Sequence, residues 1–565
     1  MRFKIIKTLK DIINDFVQHH FDIKLLRRFI PMRFWERTGR INRLHRLYIN
    51  KRLTEIEFNK QIKGKKILFL RMRHVPRHLT LEVSLAVKLV SKGNKCVFVS
   101  CSSILPICNA WDIRDLNTRE TCNYCSNNNV YFSENFPFNM IFLGNYVTSM
   151  EVDSIKNKYN NLKIDDLKSF RVNDIDLGDE LYLSLAKFLF RGNVPETPIN
   201  LKYARDFAIS GEIIVTGLLR VFEKEKPEVV ILNSGHIFWF GIAYKILKKF
   251  NIKTVSYDET NIAVTKLTWT FDDTNPCVDY NWTNHWEREK EKKLETKEFE
   301  KINELIETRK KYFLYQQNTD TIPLLQRCDI SRYNTKVALF TNVLWDATVV
   351  GKNPIFESMM DWISHTIDIF NGNHDLCLVI RVHPAEAGVY GMISKERVRL
   401  ELQNRGIVFR ENIFFVDAEE NVNSYDIIDK CDVVLSYASN IGLEAVLDGK
   451  PVIVVGAPHY KNRGFTLDPK SISEYDTLLE KVLKGDTLIL PKVELARKYA
   501  KLAFIDTQID LKIFKDKHPH KINNININSF ADISDELKTV SLICDWITKT
   551  DLSGYYIQDW GSNYK

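Results

Sequence analysis

The chain has 565 residues, of which 44% are hydrophobic and 27% are charged, and its formal net charge is +8. This composition excludes an intrinsically disordered chain, and the length predicts two or three domains. No apolar stretch reaches the roughly 18 uninterrupted residues of a membrane-spanning helix, and the charged N-terminus lacks the apolar core of a secretory signal. We therefore expect a cytoplasmic protein without a transmembrane anchor.

The excess of basic residues lies at the N-terminus. Residues 1–66 contain 18 Lys and Arg against 6 Asp and Glu, a net charge of +12, so the rest of the chain sums to −4. Residues 1–62 are predicted to form a basic helical segment, in which apolar side chains recur at near-helical spacing: Phe3, Ile6, Leu9, Ile13 and Phe16. Such a helix either lies peripherally on the inner face of the cell membrane or packs on its own domain. No recognised nucleic-acid module accompanies the charge, so nucleic acid is not an expected partner.

Residues 63–320 are predicted to form the first domain, an α/β unit. Short apolar strands alternate with helical stretches, as in β-α-β units with a parallel sheet. The predicted strands are 65–70, 95–100, 228–233 and 252–257. A more polar stretch at 126–200 is predicted to be an insertion, and a charged, exposed helix at 285–313 approaches the domain boundary.

Residues 321–530 are predicted to form a second β/α series, and residues 531–565 a C-terminal helix and tail. The predicted strands are 336–341, 376–382, 413–416, 432–437 and 451–455. Right-handed crossovers between so many parallel strands lead to a doubly wound sheet. The predicted fold class is therefore α/β, with two facing Rossmann-like domains after the basic helical segment.

Polar residues follow two strands of the second domain, where open parallel sheets bind ligands. In "RVHPAE", Arg381 lies at the end of the strand at 376–382, and His383 and Glu386 follow it. Arginine binds phosphate through two hydrogen bonds, and histidine can donate a hydrogen bond to an anionic oxygen or transfer a proton. These residues are predicted to face a bound donor.

A second loop, "SNIGLEAVLDGKP", follows the strand at 432–437. Ser439, Asn440 and Gly442 are predicted to open a helix whose backbone N–H groups suit a phosphate. Glu444, in the first turn, could accept hydrogen bonds from a ribose or sugar hydroxyl, although simple helix-start electrostatics would also explain a carboxylate there. Asn342 and His459 follow two other strands of the same sheet and are added to the predicted donor site.

An acceptor hydroxyl needs a carboxylate or imidazole to deprotonate it. The candidates for this base follow strands of either domain: His74, His78, Asp258, Glu259 and Asp346. The sequence does not choose among them, and loop caps or salt links would equally explain each one singly.

Four cysteines of the first domain could chelate zinc: Cys101, Cys108, Cys122 and Cys125. Only one pair has the Cys-x-x-Cys spacing, and the rest of the spacing is irregular, which favours a loop of buried thiols. We therefore predict no metal site. Ten cysteines in a chain of this length also do not indicate a disulfide framework.

The motifs "TNVLWDA", "RVHPAE", "NSYD", "SNIGLEAVLDGKPVIV" and "HYKNRGFTLDP" resemble those of bacterial capsule and surface polysaccharide glycosyltransferases, including the capsule Kdo transferases. Teichoic-acid glycerophosphate transferases are more distantly similar. The resemblance covers roughly residues 337–469 and implies a two-Rossmann (GT-B) enzyme. It implies that the donor nucleotide and its phosphates are held by His383, Ser439, Gly442 and Glu444, with Arg381 and Ser424 in support. The Kdo enzymes carry Arg-Pro-His-Pro where this chain has Arg-Val-His-Pro, so the resemblance does not identify the donor as CMP-Kdo.

The predicted function is transfer of a sugar from a nucleotide-sugar donor, linked to CMP, CDP or UDP, to a growing capsular or lipopolysaccharide-type glycan. The predicted acceptor is lipid-linked or an oligosaccharide, and the scheme requires no cofactor. The alternatives are a CDP-alditol phosphotransferase, a nucleotide-sugar epimerase and a non-catalytic assembly protein.

Overall fold

A computed structural model describes residues 64–72, 76–109, 118–136, 138–260, 268–316, 322–388, 393–485, 490–509, 511 and 538–549. The predicted basic helical segment, most of the predicted C-terminal tail and the candidate base His74 lie outside these residues. Among the described helices, none combines the length and the apolar character needed to cross a membrane.

The first domain is built on a six-stranded sheet. Its strands are β1 (Lys66–Leu70), β2 (Lys95–Ser100), β3 (Asn139–Phe142), β6 (Val229–Asn233), β7 (Lys253–Thr260) and β8 (Thr268–Asp272). The two short strands β4 (Arg171–Val172) and β5 (Ile175–Asp176) form a separate hairpin. The order is β3-β2-β1-β6-β7-β8, and only β8 runs antiparallel to its neighbour. The central strands β1 and β6 are almost continuously buried because helices cover both faces of a parallel sheet.

Six helices belong to this domain: α1 (Pro76–Ser91), α2 (Thr118–Asn135), α3 (Ser149–Lys158), α4 (Gly178–Leu189), α5 (Pro198–Glu225) and α6 (Phe238–Lys249). Their starts follow ordinary capping chemistry. The Thr148 side chain accepts a hydrogen bond from the Glu151 N–H, while the Glu151 carboxylate accepts one from the Thr148 N–H, a capping box that begins α3. Thr197 caps α5, and Pro198 stands at the first helical position, where its missing N–H costs nothing.

The second domain contains a five-stranded sheet in which every pair is parallel. The strands are β9 (Thr335–Phe340), β10 (Leu376–Arg381), β11 (Ile413–Val416), β12 (Val433–Ser436) and β13 (Val452–Val454), in the order β11-β10-β9-β12-β13. The remaining helices are α7 (Thr283–Glu289), α8 (Thr296–Gln316), α9 (Leu324–Arg327), α10 (Met359–Asn371), α11 (Val398–Asn404), α12 (Ser424–Lys430), α13 (Ile441–Leu447), α14 (Ile472–Leu483), α15 (Val493–Lys501) and α16 (Lys538–Thr548). Both sheets therefore share the doubly wound arrangement that the sequence predicts, and the α/β fold class is confirmed.

The packing favours a domain boundary nearer residue 280 than the predicted residue 320. Trp282, Trp286 and Ile302, on or beside α7 and α8, are buried in the core that covers one face of the second sheet. The chain also returns to the first domain, because Ile543 of α16 is buried in the core over one face of the first sheet. The predicted C-terminal helix thus packs on the first domain.

The carboxyl edges of the two sheets face each other across the junction between the domains. His236 follows β6 and Lys352 follows β9, and Asp279 Oδ1 lies 3.7 Å from His236 Nδ1 and 3.8 Å from Lys352 Nζ. On another side of the junction, the Glu396 carboxylate accepts hydrogen bonds of 2.6 and 2.8 Å from the two backbone N–H groups at residues 192–193. Loops from both sheets therefore border one cleft.

Candidate functional site

The second sheet reverses its strand order between β9 and β12. From β9 the chain continues outward to β10 and β11, whereas β12 and β13 lie on the other side. Asn342, just after β9, accepts a hydrogen bond of 3.0 Å from the Ala438 N–H, just after β12. Such a reversal leaves a crevice at the carboxyl edge, which is where open α/β sheets bind ligands. Buried Asn342 therefore joins the two loops at this switch point.

His383 lies beside the switch point, after β10. The backbone N–H of His383 donates a hydrogen bond to Thr341 Oγ1 at 3.1 Å, and the ring Nδ1 accepts one from the Ala385 N–H at 3.1 Å. Burial lowers the pKa of the ring below its usual value, against the opposing charge of Asp346. Because Nδ1 accepts a hydrogen bond, the neutral ring carries its proton on Nε2. His383 is therefore preorganised as a hydrogen-bond donor through Nε2.

Arg381 ends β10 and is buried. Its Nη1 donates a 2.5 Å hydrogen bond to the Asp417 carbonyl, after β11, so the guanidinium extends across that side of the sheet edge. Burial lowers its pKa to about 10, which leaves the side chain charged at neutral pH. Among the described residues, Nε of Arg381 has no hydrogen-bond partner. A buried, incompletely satisfied cation remains available to polar groups at this edge.

Glu386, a predicted donor contact, has a hydrogen-bond partner within the protein. Its carboxylate is 1% exposed and accepts a 2.8 Å hydrogen bond from the Val398 N–H at the start of α11. Burial raises the pKa of Glu386 to about 7. The residue stabilises the start of a helix rather than facing an open crevice. Ser424 likewise occupies the first position of α12, where Asn423 provides the cap.

Glu444, another predicted donor contact, also has partners within the protein. It is 3% exposed, and Oε1 accepts hydrogen bonds of 2.8 and 2.6 Å from Nε and Nη2 of Arg309 on α8. Its other oxygen accepts one of 2.8 Å from the Tyr425 hydroxyl on α12. These three bonds hold both carboxylate oxygens inside the protein. Glu444 therefore connects three helices and is not placed to accept from a ribose.

His459 packs internally rather than pointing into the crevice. Its Nε2 lies 2.8 Å from Asn440 Oδ1, and its Nδ1 lies 3.0 Å from the Tyr499 hydroxyl. Burial lowers the pKa of His459 to about 3, so the ring is neutral. The predicted donor residues His459 and Asn440 thus contact each other, and His459 positions the loop that carries Asn440.

The loop after β12 is shaped by close packing. Tyr460 is fully buried, and its hydroxyl donates a 2.6 Å hydrogen bond to the Ser439 carbonyl. A Cβ atom on Gly442 would lie 2.2 Å from that hydroxyl oxygen and 3.1 Å from Ser436. Glycine is required here by the tyrosine, and a phosphate is not needed to explain it.

Replacing Gly442 with alanine is expected to destabilise the protein by about 1–3 kcal/mol through overpacking against Tyr460. Urea unfolding of Gly442→Ala measures the loss. The double variant with Tyr460→Phe should recover part of it, because the clashing oxygen is gone. Equal stability of Gly442→Ala and the wild type would show that the loop has room for a methyl group.

On the acceptor side, the structure brings three of the predicted bases to one edge of the first sheet. His78 Nε2 on α1 lies 3.7 Å from Glu259 Oε2 on β7. Asp258 Oδ1 accepts from the Glu259 N–H at 2.8 Å and from Asn233 Nδ2 at 3.3 Å. Asp346, the candidate from the second domain, accepts through one oxygen from both the N–H and the hydroxyl of Thr348, at 2.8 and 2.9 Å. That bonding is typical of a loop cap, whereas the His78–Glu259 pair has the composition of an acid–base site.

Glu82, in the segment "RMRHVPRHLTLE" that follows the first strand, is a buried carboxyl near this edge. It accepts a 2.6 Å hydrogen bond from the Tyr257 hydroxyl. Burial raises its pKa to about 7, although Arg71 and the Tyr257 hydrogen bond act in the opposite direction.

The stability of the protein is expected to depend on the ionisation of Glu82. Because the folded pKa is raised above the unfolded value, the stabilisation is complete below about pH 4 and is lost as the pH rises through about 7, by up to about 3 kcal/mol. Glu82→Gln keeps a neutral side chain at every pH. Between pH 5 and pH 8 the unfolding free energy of this variant should therefore rise relative to that of the wild type. A constant difference over that range would contradict the raised pKa.

The ten cysteines are free thiols, including the four that could have formed a zinc knuckle. Among the described side chains, no group of three His, Cys, Asp or Glu is arranged to hold a metal ion. Burial raises the pKa of Cys101 above that of an ordinary thiol.

Residues 278–481 match the family model described as capsule polysaccharide biosynthesis protein. The match begins where α7 and α8 join the core of the second domain, and it includes all five strands of the second sheet. It confirms the resemblance to capsule polysaccharide biosynthesis proteins that the sequence motifs indicate. No curated protein matches the chain at a significant level.

Solved structures similar to this chain include two described as transferases of Thermosulfurimonas dismutans KpsC. The beta Kdo 2,7 transferase is 17% identical, with 50% of this chain and 79% of that chain covered and a TM-score of 0.30. The beta Kdo 2,4 transferase is 14% identical, with 48% and 79% covered and a TM-score of 0.30. S. aureus MnaA in a co-structure with UDP is 9% identical, with 78% and 95% covered and a TM-score of 0.27. TM-scores of this size do not establish a shared fold, so the two-domain architecture rests on the strand orders themselves.

Proposed function

We propose that this chain, which carries a capsule polysaccharide biosynthesis domain, is a glycosyltransferase that binds its nucleotide-sugar donor at the switch point of the second sheet. The observation that carries the proposal is the geometry at that edge. Asn342 joins the loops after β9 and β12, and His383 presents Nε2–H beside them. A neutral N–H donor and a buried arginine suit the phosphate oxygens of a nucleotide.

The predicted donor residues do not all serve this proposal equally. Asn342, His383 and Arg381 lie at the ends of β9 and β10, and Ser439 follows β12. Gly442, Glu444, Glu386, Ser424 and His459 position those loops through the packing and hydrogen bonds already described. We therefore place the nucleotide against Asn342, His383, Arg381 and Ser439. The other residues would act indirectly, by holding the loops that carry these four.

The acceptor is proposed to enter from the first sheet, whose carboxyl edge meets the same cleft at Asp279. The acceptor oxygen would lose its proton to a base and form a bond to the anomeric carbon, while the bond from that carbon to the phosphate oxygen breaks. The His78–Glu259 pair is our candidate for the base. His383 and Arg381 would stabilise the charge on the departing nucleotide.

A lipid-linked or oligosaccharide acceptor at the inner face of the membrane is a further part of the proposal. It rests on the net charge of +12 in residues 1–66. Basic residues near an anionic bilayer contribute roughly 1 kcal/mol each. Sedimentation with vesicles containing phosphatidylserine should recover the whole chain, and a chain lacking residues 1–62 should stay in the supernatant. Equal recovery of the two would remove the membrane from the proposal.

Labelled donors test the proposed reaction. The purified protein is incubated with CMP-, CDP- and UDP-linked sugars and CDP-glycerol, together with capsular oligosaccharide acceptors. Transfer of labelled sugar to the acceptor, with release of free nucleotide, is the expected result. Transfer of glycerol phosphate instead would assign the chain to the alditol phosphotransferases, and conversion of the sugar without any acceptor would assign it to the epimerases.

A further inference from the structure

A second cavity, of about 450 Å³, lies at the junction of the two domains. The first domain contributes the start of α4 and the loop at residues 192–193. The second domain contributes the segment after β9, the start of α10, and α11 with the residues that flank it. None of the residues predicted to contact the donor nucleotide lines it. The cavity is therefore separate from the crevice at the switch point, and its volume is within the range of small-molecule sites.

The wall from the first domain offers an aromatic ring and a carboxylate. Tyr182 on α4 is half-buried, and its hydroxyl donates to the Gly192 carbonyl at 3.3 Å. Asp179, in the first turn of the same helix, is exposed toward solvent and has no ion pair among the described residues. Lys168 Nζ stands 5.0 Å from the centre of the Tyr182 ring and is already paired with Asp165 at 2.8 Å.

The wall from the second domain likewise has a basic residue that is paired and a carboxylate that has no ion pair. Arg405 pairs with Asp361 at 2.5 Å, so its charge is compensated. Glu357, just before α10, lines the cavity without an ion pair in the described part of the chain. Both basic groups that line the cavity, Lys168 and Arg405, have an ion-pair partner, whereas Asp179, Glu357 and Glu401 have none in the described part of the chain. The cavity is therefore suited to hydrogen-bond donors and unsuited to anions.

We propose that this cavity binds an uncharged, hydroxyl-rich saccharide unit of the acceptor glycan, an inference that rests on the proposed glycosyltransferase function. Sugar hydroxyls donate to carboxylates, and hydrogen bonds to an ionised acceptor are stronger than those between neutral groups. The Tyr182 ring adds an apolar surface of the kind on which sugar C–H groups pack. An anionic sugar would meet the uncompensated charges of Asp179 and Glu357 and would be excluded.

The position of the cavity explains how such a unit would act in the reaction. Glu396, which lines the cavity, also joins the domains through the N–H groups at residues 192–193. A saccharide that contacts both Asp179 and Glu357 would bridge the same junction. It would hold the acceptor chain to the closed arrangement of the two domains without touching the reacting atoms.

Saturation-transfer NMR on the whole chain tests the binding without relying on activity. The neutral probes are maltose, cellobiose and N,N′-diacetylchitobiose, and the anionic probe is a uronic-acid disaccharide. We expect signal transfer to at least one neutral probe, at least a fivefold reduction in the variant carrying Asp179→Asn and Glu357→Gln, and no change in Glu304→Gln, which removes an exposed carboxylate of α8. No transfer to any neutral probe, preference for the anionic one, or an undiminished signal in the double variant would overturn the proposal.

Kinetics separate this inference from the proposed function itself. With an active donor and oligosaccharide acceptor, the double variant should raise the KM for the acceptor about tenfold and leave the KM for the donor unchanged. An unchanged acceptor KM in an enzyme that still transfers sugar would overturn the acceptor role of the cavity and leave the glycosyltransferase proposal intact. Absence of transfer by the wild type, with neutral saccharides still bound, would contradict the proposed function and remove the acceptor role with it.

Discussion

Truncating Glu444 to alanine is expected to destabilise the protein by roughly 3–5 kcal/mol, because it removes the carboxylate that accepts two hydrogen bonds from the buried guanidinium of Arg309. The Tyr425 hydroxyl loses its acceptor in the same variant. Equilibrium unfolding in urea measures the change, and it can be followed by the fluorescence of Trp282 and Trp286, which are buried in the core of the second domain. Glu304→Ala, on the exposed face of the helix that carries Arg309, should change the stability by no more than about 0.5 kcal/mol.

A double-mutant cycle makes this prediction specific to the ion pair. Arg309→Met alone should also be strongly destabilising, because it strands the Glu444 carboxylate. The pair Arg309→Met with Glu444→Leu should recover much of the loss, since apolar replacement of a whole buried ion pair is often neutral or stabilising. Additive losses in the double variant would contradict a direct interaction. Normal stability of Glu444→Ala, with loss of nucleotide binding, would restore Glu444 to the donor site.

His383→Ala is expected to weaken nucleotide binding by roughly 10- to 150-fold, the equivalent of one hydrogen bond to a charged group. The reason is the loss of the Nε2–H donor, which the hydrogen bond from the Ala385 N–H to Nδ1 holds in place. Isothermal titration with the nucleotide that the wild type prefers gives the affinity directly. His374→Ala, which removes an exposed histidine of the same domain, is the matched control and should bind like the wild type.

The loss of nucleotide affinity in His383→Ala supports a contact with the ligand only if the variant remains folded. Thermal unfolding of the variant without nucleotide should show no more than the loss of one local hydrogen bond, which His383 Nδ1 accepts from the Ala385 N–H. An affinity equal to that of the wild type would place the nucleotide elsewhere. A variant that fails to fold would instead assign His383 to the structure of the loop between β10 and α11.

The nine strands predicted from short apolar runs bounded by polar loops are all present, and the structure confirms the α/β class. Two strands of the first sheet, β3 (Asn139–Phe142) and β8 (Thr268–Asp272), were not predicted from the sequence. The boundary near residue 320 was predicted from the charged sequence of α8, yet Ile302 and Ile306 on that helix are buried in the second core. A helix that packs on a core needs only one apolar side. The many charged residues on the other sides of α8 concealed this apolar side in the sequence.

The individual site residues were less predictable, because their partners are distant in the sequence. Arg309 precedes Glu444 by 135 positions, and nothing near Glu444 indicates that a guanidinium will cover it. Gly442 was interpreted as a phosphate-loop glycine, whereas Tyr460, 18 residues later in the chain, accounts for it. His383 differs, since its position at the end of a strand and the following proline are local features, and the contacts of its backbone N–H and its Nδ1 are also local to this edge of the sheet. Local patterns therefore indicate which edge of the sheet carries the candidate site, and long-range packing decides which side chains already have partners within the protein.

Hydrogen–deuterium exchange of the whole chain, with and without CMP, CDP, UDP or GDP, tests whether the second domain holds the donor nucleotide. We predict that one nucleotide slows exchange in three segments at the carboxyl edge of the second sheet, residues 341–346, 382–387 and 436–441. At about 100 times its dissociation constant it should also stabilise the protein by roughly 2.7 kcal/mol. Protection confined to the first domain, or no effect of any nucleotide, would contradict the proposed donor site.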